Sequence, residues 1–278
     1  MPLSERHLAA FAADHQSTLQ FDTQPRSLAG PGDPRHVTHP LLAAGWKTAS
    51  DPSLPRVRLV SPDVLVEVTI DPTPTSSGSW WRIGTPTSAY GPYWHMSFGG
   101  LTPSEIVAGV ADALCRPVPD GESDVGQILN DAGWTGVPVA GAPGLAVSPD
   151  QLIHAEWLEE DGRAYAWRVE AAVRHDSSHD VDHVWNAWIG DGTPPHLVAG
   201  LARALVDPQP VLRGMHDQLG HYSAVQHPSA TTGTQVAAAH HQRVAAARTA
   251  ARRARHTPAP AASASPAPTS SPLPTRSR

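Results

Sequence analysis

Three sets of side chains in this chain have the types and spacing to do chemistry. The densest is His175-Asp-Ser-Ser-His179-Asp-Val-Asp-His183. Histidines at i, i+4 and i+8 would share one helix face and, with a carboxylate, hold a transition metal. The segment falls between two predicted strands, however, where a solvated hairpin loop has the same composition. Its counterpart in the first half, Gly84–Tyr90, has no histidine. The second set is the pair Ser61/Asp63 and Ser148/Asp150, each within Ser-Pro-Asp. A tight turn already explains both residue types, because Pro presets φ while Ser and Asp bond the local backbone. The third set is basic. Arg243, Arg248, Arg252, Arg253 and Arg255 lie in the Ala-rich run Thr234–His256, which reads as a helix with Arg248, Arg252 and Arg255 on one face. That stripe suits nucleic-acid phosphates, an acidic partner or the acidic body of the chain, and a solvated helix would show it too. Base-stacking aromatics are missing between the arginines, so any nucleic-acid contact there would be electrostatic and salt-dependent.

The usual signatures of nucleotide, metal and hydrolase chemistry are missing. There is no phosphate-cradling Gly-x-x-x-x-Gly-Lys-Ser/Thr, Gly-x-Gly-x-x-Gly, Cys-x-x-Cys, His-Glu-x-x-His or Gly-x-Ser-x-Gly. Cys115 is the only cysteine, which excludes an internal disulfide framework, and its apolar helical setting reads as a buried, inert thiol. We expect no cofactor, no resident metal and no catalytic residue.

The elements that must position these groups follow from an internal repeat. Residues 94–117 align without a gap onto residues 185–208, with 11 of 24 positions identical. Upstream, Ala44-Gly45-Trp46 matches Ala132-Gly133-Trp134, and Trp81-Arg82-Ile83 matches Trp167-Arg168-Val169. A fixed internal period sets the architecture before any local signal does. The chain therefore reads as a lead-in (1–36), a first module (37–117), a short polar linker, a second module (124–213) and a tail (226–278). Each module is expected to be α+β: a short helix, a four-stranded antiparallel sheet and a closing helix. The tandem copies share a facing pattern as well as sequence.

The short helices are Pro40–Ala44 and Val125–Ala132, with Ser123 as N-cap of the second and Gly45 and Gly133 in the left-handed C-terminal position. Val57–Val60 and Val64–Ile70 form a hairpin about Ser-Pro-Asp, with Val64, Val66, Val68 and Ile70 alternating onto the inner face. Trp80–Ile83 and Ala166–Ala171 read as third strands, Tyr93–Phe98 and Val184–Ile189 as fourth. The closing helix has Thr102 as N-cap, Pro103 at the first position and Glu105 to complete a capping box. In the lead-in, His7–His15 reads as a helix and Ser17–Thr23 as a strand.

All nine tryptophans lie inside the modules, and three pairs occupy matched positions, as core residues would. Trp80, Trp157 and Trp188 are unmatched, and Trp157 falls on the inner face with Ile70. Trp80 should point away from the face of Trp81, either packing between modules or anchoring a partner. Trp80 and Trp188, with Arg248, Arg252 and Arg255, are the candidate binding residues.

The net charge of −6 conceals a split: residues 1–225 sum to −13, and residues 226–278 carry seven arginines and no acid. An acidic body with a basic arm suggests an interaction protein. Residues 258–278 are almost wholly Pro, Ala, Ser and Thr, and their composition predicts disorder. Neither a membrane span nor a secretion signal is legible, so the cytoplasm is the expected location and no membrane partner is expected.

Gly-Asp-Pro-Arg (32–35), Leu-Leu-Ala-Ala-Gly-Trp (41–46), Ser-Pro-Asp (61–63), Trp-Trp-Arg-Ile (80–83), Ser-Phe-Gly-Gly-Leu-Thr-Pro (97–103) and Gly-Thr-Pro-Pro-His-Leu-Val-Ala (192–199) together resemble the SPDY-domain family of actinomycetes. The resemblance spans roughly residues 20–213 and implies two tandem copies of a domain of unknown function in a cytoplasmic bacterial protein. It brings no catalytic residues. The motif's fourth position, Tyr in the family's name, is Val64 in one copy and Gln151 in the other. The reading is a non-catalytic protein-binding or adaptor protein. The alternatives are nucleic-acid association through the basic tail, and a small-ligand or metal-binding module using the 175–183 loop.

Overall fold

The structure is a computed structural model. It describes residues 3–73, 78–86, 93–119, 121, 124–138, 144–161, 163–175 and 180–256. The expected disorder over 258–278, and the expected cap Ser123, lie outside these residues.

In chain order the elements are α1 (Glu5–Gln16), β1 (Gln20–Gln24), α2 (Arg35–Ala43), β2 (Lys47–Thr48), β3 (Val57–Val60), β4 (Glu67–Ile70), β5 (Ser79–Gly84), β6 (His95–Gly99), α3 (Ser104–Leu114), α4 (Val125–Asp131), β7 (Gly144–Val147), β8 (Ile153–Glu160), β9 (Arg163–Arg174), β10 (Val181–Gly190), α5 (Pro195–Val206), β11 (Val211–Gly214), β12 (Val225–Pro228) and α6 (Gly233–His256). The fold is α+β with tandem modules. Their strands do not form two separate sheets: β6 pairs with β10, and one antiparallel sheet runs β2-β3-β4-β5-β6-β10-β9-β8-β7. The repeat sets Trp94 against Trp185, and Ser97 pairs with Trp188 at that same offset. Equivalent residues of the two copies therefore meet, and a pseudo-twofold axis passes between Ser97 and Trp188.

The closing helices obey the same axis. Equivalent glycines, Gly109 of α3 and Gly200 of α5, lie at their crossing. A Cβ on Gly109 would stand 2.6 Å from the Gly200 carbonyl oxygen, and one on Gly200 would stand 2.8 Å from that of Gly109. Helices this close admit no side chain at the crossing. Below them lies one continuous core in which Trp81, Ile83, Met96, Phe98, Val169, Ala187 and Ile189 of the sheet meet Ile106, Val107, Val110, Leu197 and Leu201 of the helices.

The Ser-Pro-Asp turns are near-copies. Ser61 and Ser148 donate to Asp63 and Asp150 at 2.6 Å, and each serine Oγ accepts a backbone N–H five residues on at 2.9 Å. Val64 and Gln151 follow with φ of +64° and +62°. Val64 is thus in the turn, 64% exposed, and does not join the inner face expected of it; β4 begins at Glu67. A β-branched residue pays about 1–2 kcal/mol in the left-handed region. Val64→Asn should therefore stabilise the protein by roughly 1 kcal/mol, seen as a higher urea midpoint at constant slope. An unchanged midpoint would show that this backbone carries no strain.

Two expected caps are replaced. Asp124 caps α4, its side chain accepting from Gln127 N–H at 3.0 Å. At α3 the capping box is absent: Pro103 holds the cap position, Thr102 Oγ1 is buried without a partner, and Glu105 turns to Arg213. A buried guanidinium is a stronger partner for a carboxylate than a backbone N–H. Gly45 and Gly133 do adopt positive φ, +101° and +80°.

The lead-in and the tail are built into the body. Strand β1 pairs on both sides, with β11 and β12, in a second sheet. Helix α6 lies on α1 and α2, burying Val236, Ala237, His240, Val244 and Ala247. Arg243 donates to Asp112 at 2.7 Å and to the His36 carbonyl at 2.6 Å.

Candidate functional site: the open face of the sheet

Strand alternation decides which side chains leave the core. Ala187 and Ile189 point to the helices and are buried, so Trp188 between them points to the opposite face. Along the pairing register this face carries, strand by strand, Thr69, Arg82, Ser97, Trp188, Arg168, Glu156 and Leu145. Trp188 is half-buried and Arg82 and Arg168 are exposed. Arg82 and Arg168 are equivalent residues of the two copies, so they flank the axial Ser97/Trp188 pair from both sides. Sequence reasoning singled out Trp188 but missed both arginines; their matched place beside Trp81 and Trp167 was the available signal.

The two halves of the face have diverged. In the second module Glu156 stands beside Arg168 and binds it at 2.8 Å. In the first module the residue beside Arg82 is Thr69, which offers no charge. Of the nearby acids, Glu67 is held by both Arg58 and Thr69, and Asp71 acts on Arg82 and Arg56 only at longer range. Burial raises the Glu67 pKa, but those bonds outweigh it and hold the carboxyl below the ordinary range. Among the described residues Arg56 and Arg82 have no ion-pair partner. Arg56, Arg58, Arg82, Tyr93, His95 and Ser97 line a cavity of about 400 Å³. His95 is held by close approach: a Cβ on Gly190 would lie 2.9 Å from its Nδ1. Tyr93, 59% exposed, stands 5.6 Å from the His95 ring. The arrangement can receive an anion with a planar group beside it.

The other expected site residues lie elsewhere. Trp80 is half-buried over Gly100, whose added Cβ would fall 2.5 Å from the indole, so it is not an open anchor. Arg248 stands 3.9 Å from Glu5, Arg252 is exposed, and the side chain of Arg255 is outside the described set. The histidines of the 175–183 loop do not converge. His183 bonds Glu170, His179 lies outside the described residues, and His175 donates toward Asp182 at 2.8 Å. The third member there is His221, which sequence spacing did not reveal, 3.1 Å from Asp182. These three atoms are close enough for a metal. His221 Nδ1, however, accepts the Ser223 N–H at 3.1 Å, which puts the ring proton on Nε2, facing Asp182. A metal-bound histidine has the reverse arrangement, its free nitrogen donating to an acceptor. The geometry is that of a clamp between β9, β10 and the segment after β11. Bonds from His175 and His221 hold Asp182 below the usual carboxylate range.

A larger groove, about 570 Å³, runs along α3 and α5. Two of its arginines are paired, Arg26 with Asp207 and Arg243 with Asp112, and Arg116 and Arg203 complete its basic lining.

The fold defines a duplicated α+β protein whose sheet carries its helices on one face and, among the described residues, the Trp188 row on the other. Two tandem regions, residues 60–119 and 147–211, match the SPDY domain, a domain of unknown function (DUF317). No curated protein and no solved structure matches.

Proposed function

We propose that this chain is a non-catalytic adaptor that receives a protein partner on the open face of its sheet, in the cytoplasm of an actinobacterium. The setting follows from the family resemblance. The observation that carries the reading is Trp188 on the pseudo-twofold axis, flanked by Arg82 and Arg168. Trp and Arg are the side chains that most often carry interface energy, and here they are central to the sheet face turned away from the helices. The groups that sequence offered for covalent chemistry are otherwise engaged. The Ser61 and Ser148 hydroxyls donate within their turns, and burial raises the Cys115 thiol to about 12, far from the thiolate a nucleophile requires.

The test is affinity capture from the native cytoplasm with nuclease present, comparing wild type, Trp188→Ala and residues 1–256. A protein partner held by wild type and by 1–256, and lost at least tenfold by Trp188→Ala, is the expected result. Capture that vanishes with nuclease would favour nucleic-acid association through the basic tail. Capture abolished by a chelator would favour the metal-binding reading of the 175–183 loop.

A further inference from the structure

We propose that the first-module end of the open face is a binding site for a phosphate-bearing small molecule about the size of a nucleoside monophosphate. The inference rests on the reading that this face is the working surface, but it requires no macromolecular partner.

Four observations carry it. First, the cavity is lined by three arginines and one histidine against a single acid, in a body that is strongly acidic as a whole. Second, that acid is already committed. Glu67 is bound by Arg58 and Thr69, and among the described residues no carboxylate lies within ion-pair distance of Arg56 or Arg82; Asp71 acts on them only at longer range. Third, the duplication supplies an internal control. The equivalent arginine of the second module, Arg168, is neutralised by Glu156, and the residue at the Glu156 position in module one is Thr69. The same scaffold thus has one arginine in a direct ion pair and one whose guanidinium has no carboxylate within ion-pair distance among the described residues. Fourth, size and shape fit. A volume of about 400 Å³ lies within the range of small-molecule pockets, and Tyr93 and His95 give an aromatic edge at its rim. Arginine's planar fork meets two phosphate oxygens at once, so Arg82 is assigned the main phosphate contact, with Arg56 as a second positive charge.

Isothermal titration of the full chain at low salt tests this with three probes: adenosine monophosphate, inorganic phosphate and adenosine. The expected result is adenosine monophosphate binding with Kd below about 1 mM, weaker phosphate binding and no adenosine binding. Arg82→Ala should weaken adenosine monophosphate at least tenfold, and Arg82→Lys should lose part of that because an ammonium cannot bind bidentately. Arg116→Ala, in the separate helix groove, should leave binding unchanged. Partner capture by Arg82→Ala, scored separately in the affinity experiment, separates failure here from failure of the adaptor reading. No binding of either phosphate probe at about 10 mM, equal binding of adenosine, or full binding by Arg82→Ala would each overturn the proposal. So would a loss confined to Arg116→Ala.

Discussion

Arg213→Ala should destabilise the protein by about 3–5 kcal/mol, the largest loss we expect from any single substitution. Arg213 is 1% exposed and uses its whole fork. Its Nε donates to the Ala29 carbonyl at 3.0 Å, Nη2 to the Gly30 carbonyl at 2.9 Å, and Nη1 to the Leu212 carbonyl at 2.8 Å. Both terminal nitrogens bind Glu105, at 2.7 and 2.9 Å. Burial alone would raise the Glu105 pKa, but the guanidinium outweighs it and keeps the carboxyl ionised. Alanine would leave that carboxylate without its counter-charge and remove a donor from three carbonyls. A buried unpaired charge costs far more than the intact pair contributes. The pair also ties β11 and the lead-in to α3, so three parts of the chain loosen together. A urea midpoint and a Tm lowered by roughly 10 °C would report it. Glu105→Gln should lose less, because the amide oxygen still accepts. A loss below about 1 kcal/mol for Arg213→Ala would mean that water replaces the guanidinium at little cost. Gly32 belongs to the same construction: its φ is +61°, and a Cβ there would lie 2.7 Å from the Arg213 guanidinium carbon.

Acidification should release helix α6 while the modules stay folded. His240 of α6 meets His39 of α2 at 3.0 Å and stacks on Phe11 of α1 at 3.9 Å, with His36 edge-on at 5.4 Å. Burial, aided by neighbouring cations, lowers His39 to about 4 and His240 to about 3, and it lowers His36 as well. Of the surrounding charges, Arg35 and Arg243 oppose protonation and Asp33 favours it. Asp33 is itself held well below the carboxylate range: burial works against this, but the bonds from His15 and Arg35 prevail. The docked helix thus requires neutral rings, whereas a released helix returns them to about 6.5. Because the folded values are depressed, docking is fully stable above about pH 6.5 and weakens as pH falls below it. By pH 5 the His39–His240 pair should have lost roughly 2–4 kcal/mol of docking free energy. Hydrogen exchange over 233–256, corrected for intrinsic rates, should rise between pH 7 and 5 while exchange in β9 and β10 does not. His240→Leu, which cannot be protonated, should flatten the response. An α6 equally protected at both pH values would refute the mechanism.

The repeat and the turns were readable because they are local or self-referential. Ser61 and Asp63 declare their turn within three residues, and the Thr-Pro start of each closing helix is equally plain. The continuous sheet had no such signal. Met96, Ser97 and Phe98 are typical of any half-buried strand, and nothing in them says that the neighbour will be their own duplicate. Glu105 read as a capping residue because its true partner lies 108 positions away. The tail was legible only in part: docking on the acidic body was one reading of its arginines, and Arg243 does meet Asp112, but the tail's apolar face was hidden. Val236, Val244 and several alanines are too small to register as an apolar face, and the group that completes the face, His240, is ordinarily polar. Only burial against Phe11 makes it apolar. Arg82 was hidden by symmetry, since an arginine repeated in both copies reads as scaffold until Thr69 is compared with Glu156.

The meeting of Ser97 with Trp188 has one more consequence. Two identical subunits joined across a twofold axis must present the same residue to it from both sides, so two tryptophans would collide there or two serines would leave the centre bare. Covalent fusion lifts that restriction. With both halves on one polypeptide, the axial position holds one large and one small side chain, and the flanking arginines are free to differ in charge environment. A surface that would be a palindrome in a homodimer is directional in this chain.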